Sequence, residues 1–311
     1  MSKIHHDSPH IPVLRREVLQ YLSPQLGQSY LDLTAGFGGH AAAVLGITDA
    51  PGKLTLVDRD KEAVKALRKR FAGQGVQVIH SDYLSASQAL RKQGKIYDLI
   101  LADLGVSSLH LDEPKRGFAF SLSGPLDMRM DTSQELSAAS LVNEWDEAEL
   151  ADVLKRYGEE PRAAVIARAI VAKRPIATTE QLAEIIARHA GKSFKRRKVH
   201  PATKAFQAIR IAVNDELDQL RLSLPLWVDL LAPGGRLVVI SFHSLEDRIV
   251  KNFFADHAGK YYTSELTALT KKPIMGAQDE IVSNPRARSA KLRAVEKIKK
   301  GKDKKGKLNV N

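Results

Sequence analysis

The chain of 311 residues contains no cysteine. Disulfide bonds, thiolate zinc sites and cysteine nucleophiles are therefore excluded, and we expect no metal in the functional site. Methylation of a pyrimidine at ring carbon 5 ordinarily begins with addition of a thiolate to the ring, so this route is excluded as well. A reaction on a nucleobase would have to start at a nitrogen or oxygen that already carries a lone pair.

Long hydrophobic runs are also missing. No apolar stretch approaches the ~18 residues that cross a bilayer, and the first twelve residues lack the apolar core of a secretion signal. We therefore predict a cytoplasmic protein with no membrane partner. With 43% hydrophobic residues, the chain is able to bury one large core and an accessory domain.

Positive charge is concentrated in two segments, residues 191–210 and 291–307. Each carries a net +7, whereas the whole chain carries +12, so the remainder is close to neutral. Basic patches on a neutral body suit a phosphate backbone, because its neutralisation releases counterions. The alternative is a solvated basic surface. The RNA contacts predicted in the first segment are Lys195, Arg196, Arg197 and Lys198.

Strands alternate with helices in the first third of the chain. The predicted strands are residues 29–33, 53–58, 76–80 and 97–104. Single helices between strands require right-handed crossovers and a parallel sheet. Residues 230–243 (LLAPGGRLVVISFH) close a helix and begin a further buried strand. The predicted fold class is therefore α/β, with a doubly wound, Rossmann-like sheet.

The strand pattern disappears between residues 105 and 200. Leu150, Val153 and Leu154 follow helical spacing, and Thr178 with Gln181 forms a capping box that opens another helix. We therefore predict an all-helical insertion. A long helix is predicted to begin at Pro201, and its apolar face comprises Phe206, Ile209, Val213, Leu217 and Leu220.

These patterns predict four regions. Residues 1–108 form the first part of the sheet domain, and residues 109–200 form the helical insertion, which we expect to recognise the substrate. Residues 201–296 complete the sheet domain. Residues 297–311 form a basic tail that we predict to be disordered, because it is rich in lysine and poor in apolar residues.

Acidic residues end three of the predicted strands. Ligands of open α/β sheets bind at the carboxyl ends of the strands, so Asp32, Asp58 and Asp103 share one rim. Gly38 and Gly39 provide a turn without Cβ atoms, and Asp58 follows Gly38 by 20 residues, a spacing typical of ribose recognition. Three acids suit a cationic, ribose-bearing cofactor. Asp58 would bind the hydroxyls, and the other two would lie near a sulfonium and its amino group.

Two cofactors are compatible with this rim. Gly36, Gly38 and Ala41 satisfy the dinucleotide pattern G-x-G-x-x-G/A, so a nicotinamide dehydrogenase stays an alternative. The late LAPGGRLVV segment favours S-adenosylmethionine instead. A third possibility is a non-catalytic RNA-binding or assembly factor with a vestigial pocket. The intact glycine turn, Asp58 and Asp103 argue against that interpretation.

Six segments resemble, in order, those of the bacterial ribosomal small-subunit methyltransferase H family, also called MraW. They are residues 32–40 (DLTAGFGGH), 103–108 (DLGVSS), 124–131 (GPLDMRMD), 200–214 (HPATKAFQAIRIAVN), 241–251 (SFHSLEDRIVK) and 284–293 (NPRARSAKLR). The resemblance spans about residues 10–295. It implies a class I methyltransferase fold with an inserted helical domain. It further implies S-adenosylmethionine-dependent methylation of a cytosine N4 amine in the decoding centre of 16S rRNA, within the small ribosomal subunit.

The resemblance also implies a set of cofactor contacts. Tyr83 takes the place of the aromatic residue that follows the third strand. The family usually has Pro-Gln after the double serine, with the glutamine on the cofactor, whereas Leu109 and His110 stand here. His110 is able to form hydrogen bonds in place of that glutamine. The remaining implied contacts are Gly38, Gly39, His40, Asp58 and Asp103.

A cytosine amine is a poor nucleophile because its lone pair is delocalised into the ring. Acceptors must draw on its hydrogens while the site aligns the nitrogen with the methyl group. Asp103 and the carbonyl groups of the turn ending at Ser107 are the predicted acceptors. This turn lacks the stacking aromatic residue of other amino-methyltransferases, so Trp145, Phe242 or His243 is expected to hold the base. Helix capping is the alternative role of His243, and core packing that of Trp145. The predicted catalytic residues are Asp103, Ser107 and His243.

Overall fold

The computed structural model describes residues 12–107, 111–121, 123–191, 200–259 and 264–299. These residues include one seven-stranded sheet with the strand order β3-β2-β1-β4-β5-β7-β6. The first five strands are parallel, and β7 is antiparallel to both β5 and β6. The strands are β1 Tyr30–Asp32, β2 Leu54–Asp58, β3 Gln77–His80, β4 Tyr97–Asp103, β5 Leu231–Ser241, β6 Leu266–Ala268 and β7 Lys291–Lys297.

Helices cover both faces of the sheet. The helices of the sheet domain are α1 Arg15–Leu22, α2 Gly39–Thr48, α3 Lys61–Arg70, α4 Tyr83–Lys92, α10 Glu216–Asp229, α11 Ser244–His257 and α12 Gln278–Ser283. The helices packed beside it are α5 Ala138–Glu144, α6 Glu147–Gly158, α7 Ala163–Val171, α8 Thr179–His189 and α9 Thr203–Asn214. The four strands predicted in the first third of the chain are thereby confirmed.

The side chains of β4 alternate between two apolar cores. Leu99 and Leu101 pack with α1, α2 and α3 on one face, whereas Ile100 and Ala102 pack with α4, α10 and α11 on the other. Alternation into two buried layers is the reason why this strand is apolar at nearly every position. The strand order reverses between β1 and β4, which opens a crevice at their carboxyl ends. The expected class I architecture is confirmed.

The helical insertion has a core of its own, which includes Leu141, Leu154, Ile166 and Ile186. This core extends beyond the boundary predicted at residue 200, because α9 packs its Phe206 and neighbouring apolar residues into it. The domain limits stay a prediction, but the packing groups α9 with the insertion. The capping box of Thr178 and Gln181 opens α8 as predicted.

The prediction of a single long helix that begins at Pro201 is wrong. The chain turns at Asp215, whose φ of +50° is left-handed, and two helices result. Asn214 stabilises the break because its amide donates to Met128 O at 2.8 Å and its oxygen accepts from Met130 N at 2.8 Å. Val213 therefore packs in the insertion, whereas Leu220 beyond the break packs against the sheet.

The predicted basic segment 291–307 begins inside the sheet. Lys291 and Arg293 lie in β7, and the Arg293 guanidinium pairs with Asp247 at 2.7 Å while the Lys291 ammonium lies 3.5 Å from it. These two charges are thus paired with an acid of the sheet domain, so they contribute less to a phosphate-binding surface than the sequence alone indicates. Among the described residues, no helix is long and apolar enough to cross a membrane.

Candidate active site

Three carboxylates lie on the rim formed by the carboxyl ends of the parallel strands. Asp32 ends β1, Asp58 ends β2 and Asp103 ends β4. Because β1 pairs with both β2 and β4, the three side chains occupy adjacent strand ends at the crevice. The predicted arrangement of strand-terminal acids is therefore confirmed, whereas their contacts with a cofactor stay a prediction.

The glycine turn connects β1 to the N-terminus of α2. Gly38 has a φ of +75°, and a Cβ atom there would stand 2.7 Å from the Phe71 ring. A Cβ at Gly39 would stand 3.2 Å from Pro12. The turn needs glycine for these close approaches, and α2 begins directly after it, following the carboxyl end of β1. A helix N-terminus of this kind favours an anion such as a carboxylate.

Asp58 braces the glycine turn. One of its carboxylate oxygens accepts from Gly36 N at 2.7 Å, and the other accepts from Asp60 N at 2.8 Å. The side chain is thus oriented by backbone donors before any ribose hydroxyl arrives.

His40 and Asp103 form the polar centre of the rim. His40 Nε2 lies 3.7 Å from the Asp103 carboxylate, and the His40 side chain is 7% exposed. Both ring nitrogens of His40 and one oxygen of Asp103 are buried without a hydrogen-bond partner among the described residues. Buried polar atoms in native proteins are nearly always hydrogen-bonded. Their grouping here is therefore suited to a polar ligand.

Asp32 lies beneath this centre and is fully buried. Burial raises its pKa to about 6, although His40, the Tyr30 hydroxyl and the Thr34 N–H act in the opposite direction. The Tyr30 hydroxyl donates to Asp32 at 2.8 Å, and Thr34 N donates at 3.2 Å. A cationic ligand above Asp32 would favour the ionised form.

These residues fit an S-adenosylmethionine molecule. The unsatisfied ring nitrogens of His40 match the polar groups of its amino-acid end, and the three acids match its positive charge. The α2 N-terminus suits its carboxylate, and Asp58 suits the ribose hydroxyls.

Tyr83 begins α4 and is directed toward the sheet core. Its ring meets that of Trp227 edge to face with centroids 5.6 Å apart, and its hydroxyl donates to Glu216 O at 3.1 Å. The hydroxyl is therefore engaged within the fold. A cofactor contact by the ring stays a prediction.

Phe242 follows β5 and lies against the turn after β4. Gly105 has a φ of +93°, and a Cβ there would stand 3.3 Å from the Phe242 ring. The absence of a side chain at Gly105 thus lets the aromatic ring approach the loop that contains Ser107. Ser107 itself is partly exposed, and its catalytic role stays a prediction.

His243 caps α11, which confirms the alternative role considered for it. Its Nδ1 accepts from Glu246 N at 3.4 Å, its Nε2 lies 3.3 Å from Glu246 Oε1, and the side chain is 7% exposed. Trp145 directly follows α5 as its C-cap residue and packs against the helical core, as its alternative role predicts. The catalytic role proposed for His243 therefore competes with a structural one.

Sequence reasoning missed a buried charge network behind Phe242. The Arg210 guanidinium forms two hydrogen bonds of 2.8 Å to Glu216, and Glu246 accepts from Phe242 N at 2.8 Å. Burial raises the pKa of Glu246, but His243, Arg210 and the Phe242 N–H outweigh it and lower the pKa overall.

This network also has the spacing of a metal site. Among the described residues, one ligand atom each from Glu216, His243 and Glu246 lies within 4.8 Å of the others. The bidentate Arg210 places a positive charge in that space, so the cluster is better described as an ion-pair network. Its sequence signal is the spacing of His243 and Glu246, which is that of a capping box.

The insertion docks onto the loop after β2. Arg116 pairs with Asp60 at 3.0 Å and donates to the carbonyl groups of Arg129 and Met130. Arg59 donates to Asn214 O at 3.3 Å. The GPLDMRMD segment is thereby held beside the cofactor rim. Two sets of predicted contacts lie outside the described residues, namely His110 and the group Lys195, Arg196, Arg197 and Lys198.

Comparison with known proteins places the chain in a family. The sequence profile described as "MraW methylase family" matches residues 7–298. Ribosomal RNA small subunit methyltransferase H of Trichormus variabilis is 47% identical over 291 residues, which cover 93% of this chain and 92% of that protein. The protein of the same name from Thermomicrobium roseum is 45% identical, with 93% and 94% covered. An rRNA methylase structure from Streptococcus thermophilus is 12% identical with a TM-score of 0.38, with 91% and 93% covered.

The matched profile covers nearly the whole chain, including the glycine turn, the strand-terminal acids and the insertion. The nicotinamide alternative is therefore wrong. The chain belongs to the MraW methylase family and is a class I methyltransferase whose cofactor is S-adenosylmethionine, as the resemblance implies.

Proposed function

We propose that this protein transfers a methyl group from S-adenosylmethionine to the N4 amine of a cytosine in the decoding centre of 16S rRNA. The names of the relatives support an rRNA substrate in the small ribosomal subunit. The observation that carries the choice of an amine is the buried Asp103 oxygen without a hydrogen-bond partner among the described residues. An oxygen of that kind suits an N–H donor of the substrate.

Each rim residue binds a different part of the cofactor. The cofactor supplies an electrophilic methyl group on its sulfur. Asp58 binds the ribose hydroxyls, because its orientation is already set by the Gly36 and Asp60 N–H groups. The α2 N-terminus binds the carboxylate, and His40 and Asp32 surround the amino end. Asp103 reaches the boundary between the cofactor and the base.

Asp103 makes the cytosine amine reactive. A carboxylate acceptor on one N–H, with turn carbonyls between residues 104 and 107 on the other, draws the lone pair out of conjugation as the methyl group arrives. Preorganised acceptors and alignment act together here, and alignment alone contributes up to ~7–11 kcal/mol in favourable cases. The amine proton leaves after transfer, when the nitrogen has become strongly acidic.

Phe242 is the residue that we assign to hold the base. Its ring lies against Gly105, and its backbone N–H is fixed by Glu246. Stacking of a base on an aromatic ring contributes about 1–3 kcal/mol. His243 fixes the same carboxylate from the other side, so we assign to it the positioning of Phe242 rather than direct contact with the base.

The insertion and the basic segment are the proposed RNA-binding elements. Arg116 ties the insertion to Asp60 at the rim, so RNA bound by the insertion would lie beside the cofactor. Lys195, Arg196, Arg197 and Lys198 follow α8 in the chain and are proposed to contact phosphates. A cytoplasmic location, where small subunits are assembled, stays part of this proposal.

A methyl-transfer assay tests the proposed function. Small subunits that lack the modification are incubated with S-adenosylmethionine carrying a tritiated methyl group, and the nucleosides of the digested 16S rRNA are separated by mass. We expect the label in N4-methylated cytidine from the decoding centre. Label in another nucleoside, or in another rRNA region, would contradict the proposal.

The Asp103→Asn variant distinguishes a catalyst from an assembly factor with a vestigial pocket. The asparagine keeps the volume of the side chain but removes the charge that faces His40. We expect at least a hundredfold loss of the single-turnover rate with unchanged subunit binding. If the wild-type protein binds subunits but neither protein transfers a methyl group, the assembly-factor interpretation is favoured instead.

A further inference from the structure

Helix α3 carries a row of positive charges on its exposed side. Its buried side comprises Ala63, Val64 and Leu67. The row follows the spacing i, i+4, i+7 and i+8, which places side chains on one face of a helix. It consists of Lys61, Lys65, Arg68 and Lys69, all of them exposed, and is called the α3 basic face below. The four residues extend over about 12 Å of the helix axis, because each residue adds ~1.5 Å.

The α3 basic face differs from the other exposed helix faces in its lack of paired acids. Arg91 of α4 lies 2.9 Å from Asp229, and Arg248 of α11 lies 3.0 Å from Glu159. The exposed arginines of α6, α7, α8 and α10 are paired with carboxylates in the same way. Within the described part of the chain, none of the four cations of the α3 basic face forms an ion pair. Their charges are therefore available to an external anion.

This arrangement of charges does not stabilise the helix itself. Lys65 lies four residues after Lys61 and four residues before Lys69, and like charges at that spacing disfavour a helix. The helix dipole favours cations in the last turn, where Arg68 and Lys69 lie, but not Lys61 in the first turn. A bound polyanion would remove this repulsion.

Both ends of α3 are fastened to the cofactor rim. At the start of the helix, Asp60 is the N-cap, its N–H donates to Asp58 at 2.8 Å, and its carboxylate pairs with Arg116 of the insertion at 3.0 Å. At the end, the Arg70 guanidinium donates to Phe37 O of the glycine turn at 2.7 Å. The α3 basic face thus belongs to a helix that is fixed to both the insertion and the rim.

An RNA strand bound at the insertion and the rim would lie beside this helix. Lysine and arginine side chains that neutralise phosphates release counterions, and such contacts fix the position of a nucleic acid without reading its sequence. We propose that the α3 basic face binds the phosphate backbone of the RNA substrate and positions the strand at the cofactor rim. The proposal rests on the proposed rRNA substrate, but not on which base or atom is methylated.

The test compares two double variants that remove the same charge. Lys65→Gln with Lys69→Gln neutralises half of the α3 basic face. The control, Lys92→Gln with Lys95→Gln, neutralises two exposed lysines that precede β4, at the amino ends of the strands and therefore opposite the rim. Binding of unmodified small subunits is measured over a range of KCl concentrations.

We expect the α3 double variant to bind subunits about tenfold more weakly. Its log–log salt slope should fall by about 1.4–1.8, twice the value of about 0.7–0.9 for one phosphate contact. The control should keep the wild-type affinity and slope. A wild-type slope in the α3 double variant would mean that the face is only solvated, and it would overturn the proposal.

Two measurements exclude an indirect effect of the replacements. The Tm of the α3 double variant should equal or exceed that of wild type, because two like charges are removed from one helix face. The affinity for S-adenosylmethionine, measured by calorimetry, should stay within twofold of wild type. Should the double variant fold poorly, Arg68→Gln alone should reduce the salt slope by about 0.7–0.9, and an unchanged slope would overturn the proposal.

Binding to protein-free 16S rRNA distinguishes RNA from a ribosomal protein as the partner. The α3 double variant should lose the same part of the salt slope on this RNA as on small subunits. A loss confined to assembled subunits would assign the face to a ribosomal protein and overturn the proposal. Failure of the wild-type protein to bind either RNA or subunits would contradict the proposed rRNA substrate itself, and this proposal with it.

Discussion

Replacement of Asp58 by alanine tests the proposed ribose contact. The structure predicts two effects, because the carboxylate accepts two backbone hydrogen bonds and is proposed to accept one or two more from the ribose. A hydrogen bond to a charged group contributes about 1.5–3 kcal/mol, and an unmade one costs about 1–3 kcal/mol. We therefore expect S-adenosylmethionine to bind about 5- to 150-fold more weakly, together with a loss of thermal stability from the unbraced glycine turn.

Calorimetric titration and thermal unfolding separate the two effects. Asp256→Ala is the matched control, because Asp256 is an exposed acid on α11. The control should leave both the Kd and the Tm at wild-type values. Unchanged cofactor affinity in Asp58→Ala, with a lowered Tm, would show that Asp58 only braces the turn, and the assignment of the cofactor pocket would be refuted.

Three further predictions concern the stability of the site. Burial raises the pKa of Asp32 to about 6, above its value in the unfolded chain, so the stability contributed by its protonated form is lost as the pH rises through 6. As the pH rises from 4 to 7.5, the free energy of unfolding of Asp32→Asn, measured in urea, should therefore increase relative to wild type by up to about 3 kcal/mol. A difference between the two proteins that does not change with pH would contradict this. Gly38→Ala should lower the free energy of unfolding by about 1–3 kcal/mol, because alanine disfavours the left-handed φ and its Cβ would clash with the Phe71 ring. Gly46 lies in open space within α2, so Gly46→Ala should raise the free energy of unfolding by up to ~1 kcal/mol. Equal Tm values for Gly38→Ala and Gly46→Ala would contradict the close packing of Gly38 against Phe71. Asn214→Ala should lower the free energy of unfolding in urea by about 1–3 kcal/mol, because Met130 N loses its acceptor. An unchanged value would mean that the helix break does not depend on the Asn214 hydrogen bonds.

The parallel strands and their terminal acids could be predicted because the signals are local. A strand such as β4 is buried on both faces, so its apolar run is continuous and ends abruptly at Asp103. The order of the elements then requires the carboxyl ends to meet at one rim. These two rules suffice to bring Asp32, Asp58 and Asp103 together.

The last strands could not be predicted because their charges are neutralised by distant residues. β7 reads KLRAVEK, and its Arg293 is 8% exposed because Asp247 on α11 pairs with it. Nothing near Arg293 in the sequence identifies that partner. The lysine-rich composition of the segment indicates a solvated surface instead.

The helix break and the ion-pair network have the same origin. A left-handed φ at Asp215 is unfavourable by itself, and it is stabilised by hydrogen bonds between Asn214 and the GPLDMRMD segment about 85 residues earlier. Arg210 and Glu216 meet because of that break, and Glu246 joins them from α11. Each of these contacts depends on the tertiary fold, so periodicity and spacing carry no signal for them.

The most direct test of the proposed function is the position of the transferred methyl group on the base. Small subunits labelled with nitrogen-15 and lacking the modification are methylated with S-adenosylmethionine that carries a carbon-13 methyl group, and the modified nucleoside is isolated for NMR. The proposed function predicts a one-bond coupling between the methyl carbon and a cytosine nitrogen that still bears one hydrogen. A methyl carbon without coupling to nitrogen, or coupled to a nitrogen that bears no hydrogen, would contradict methylation of the exocyclic amine.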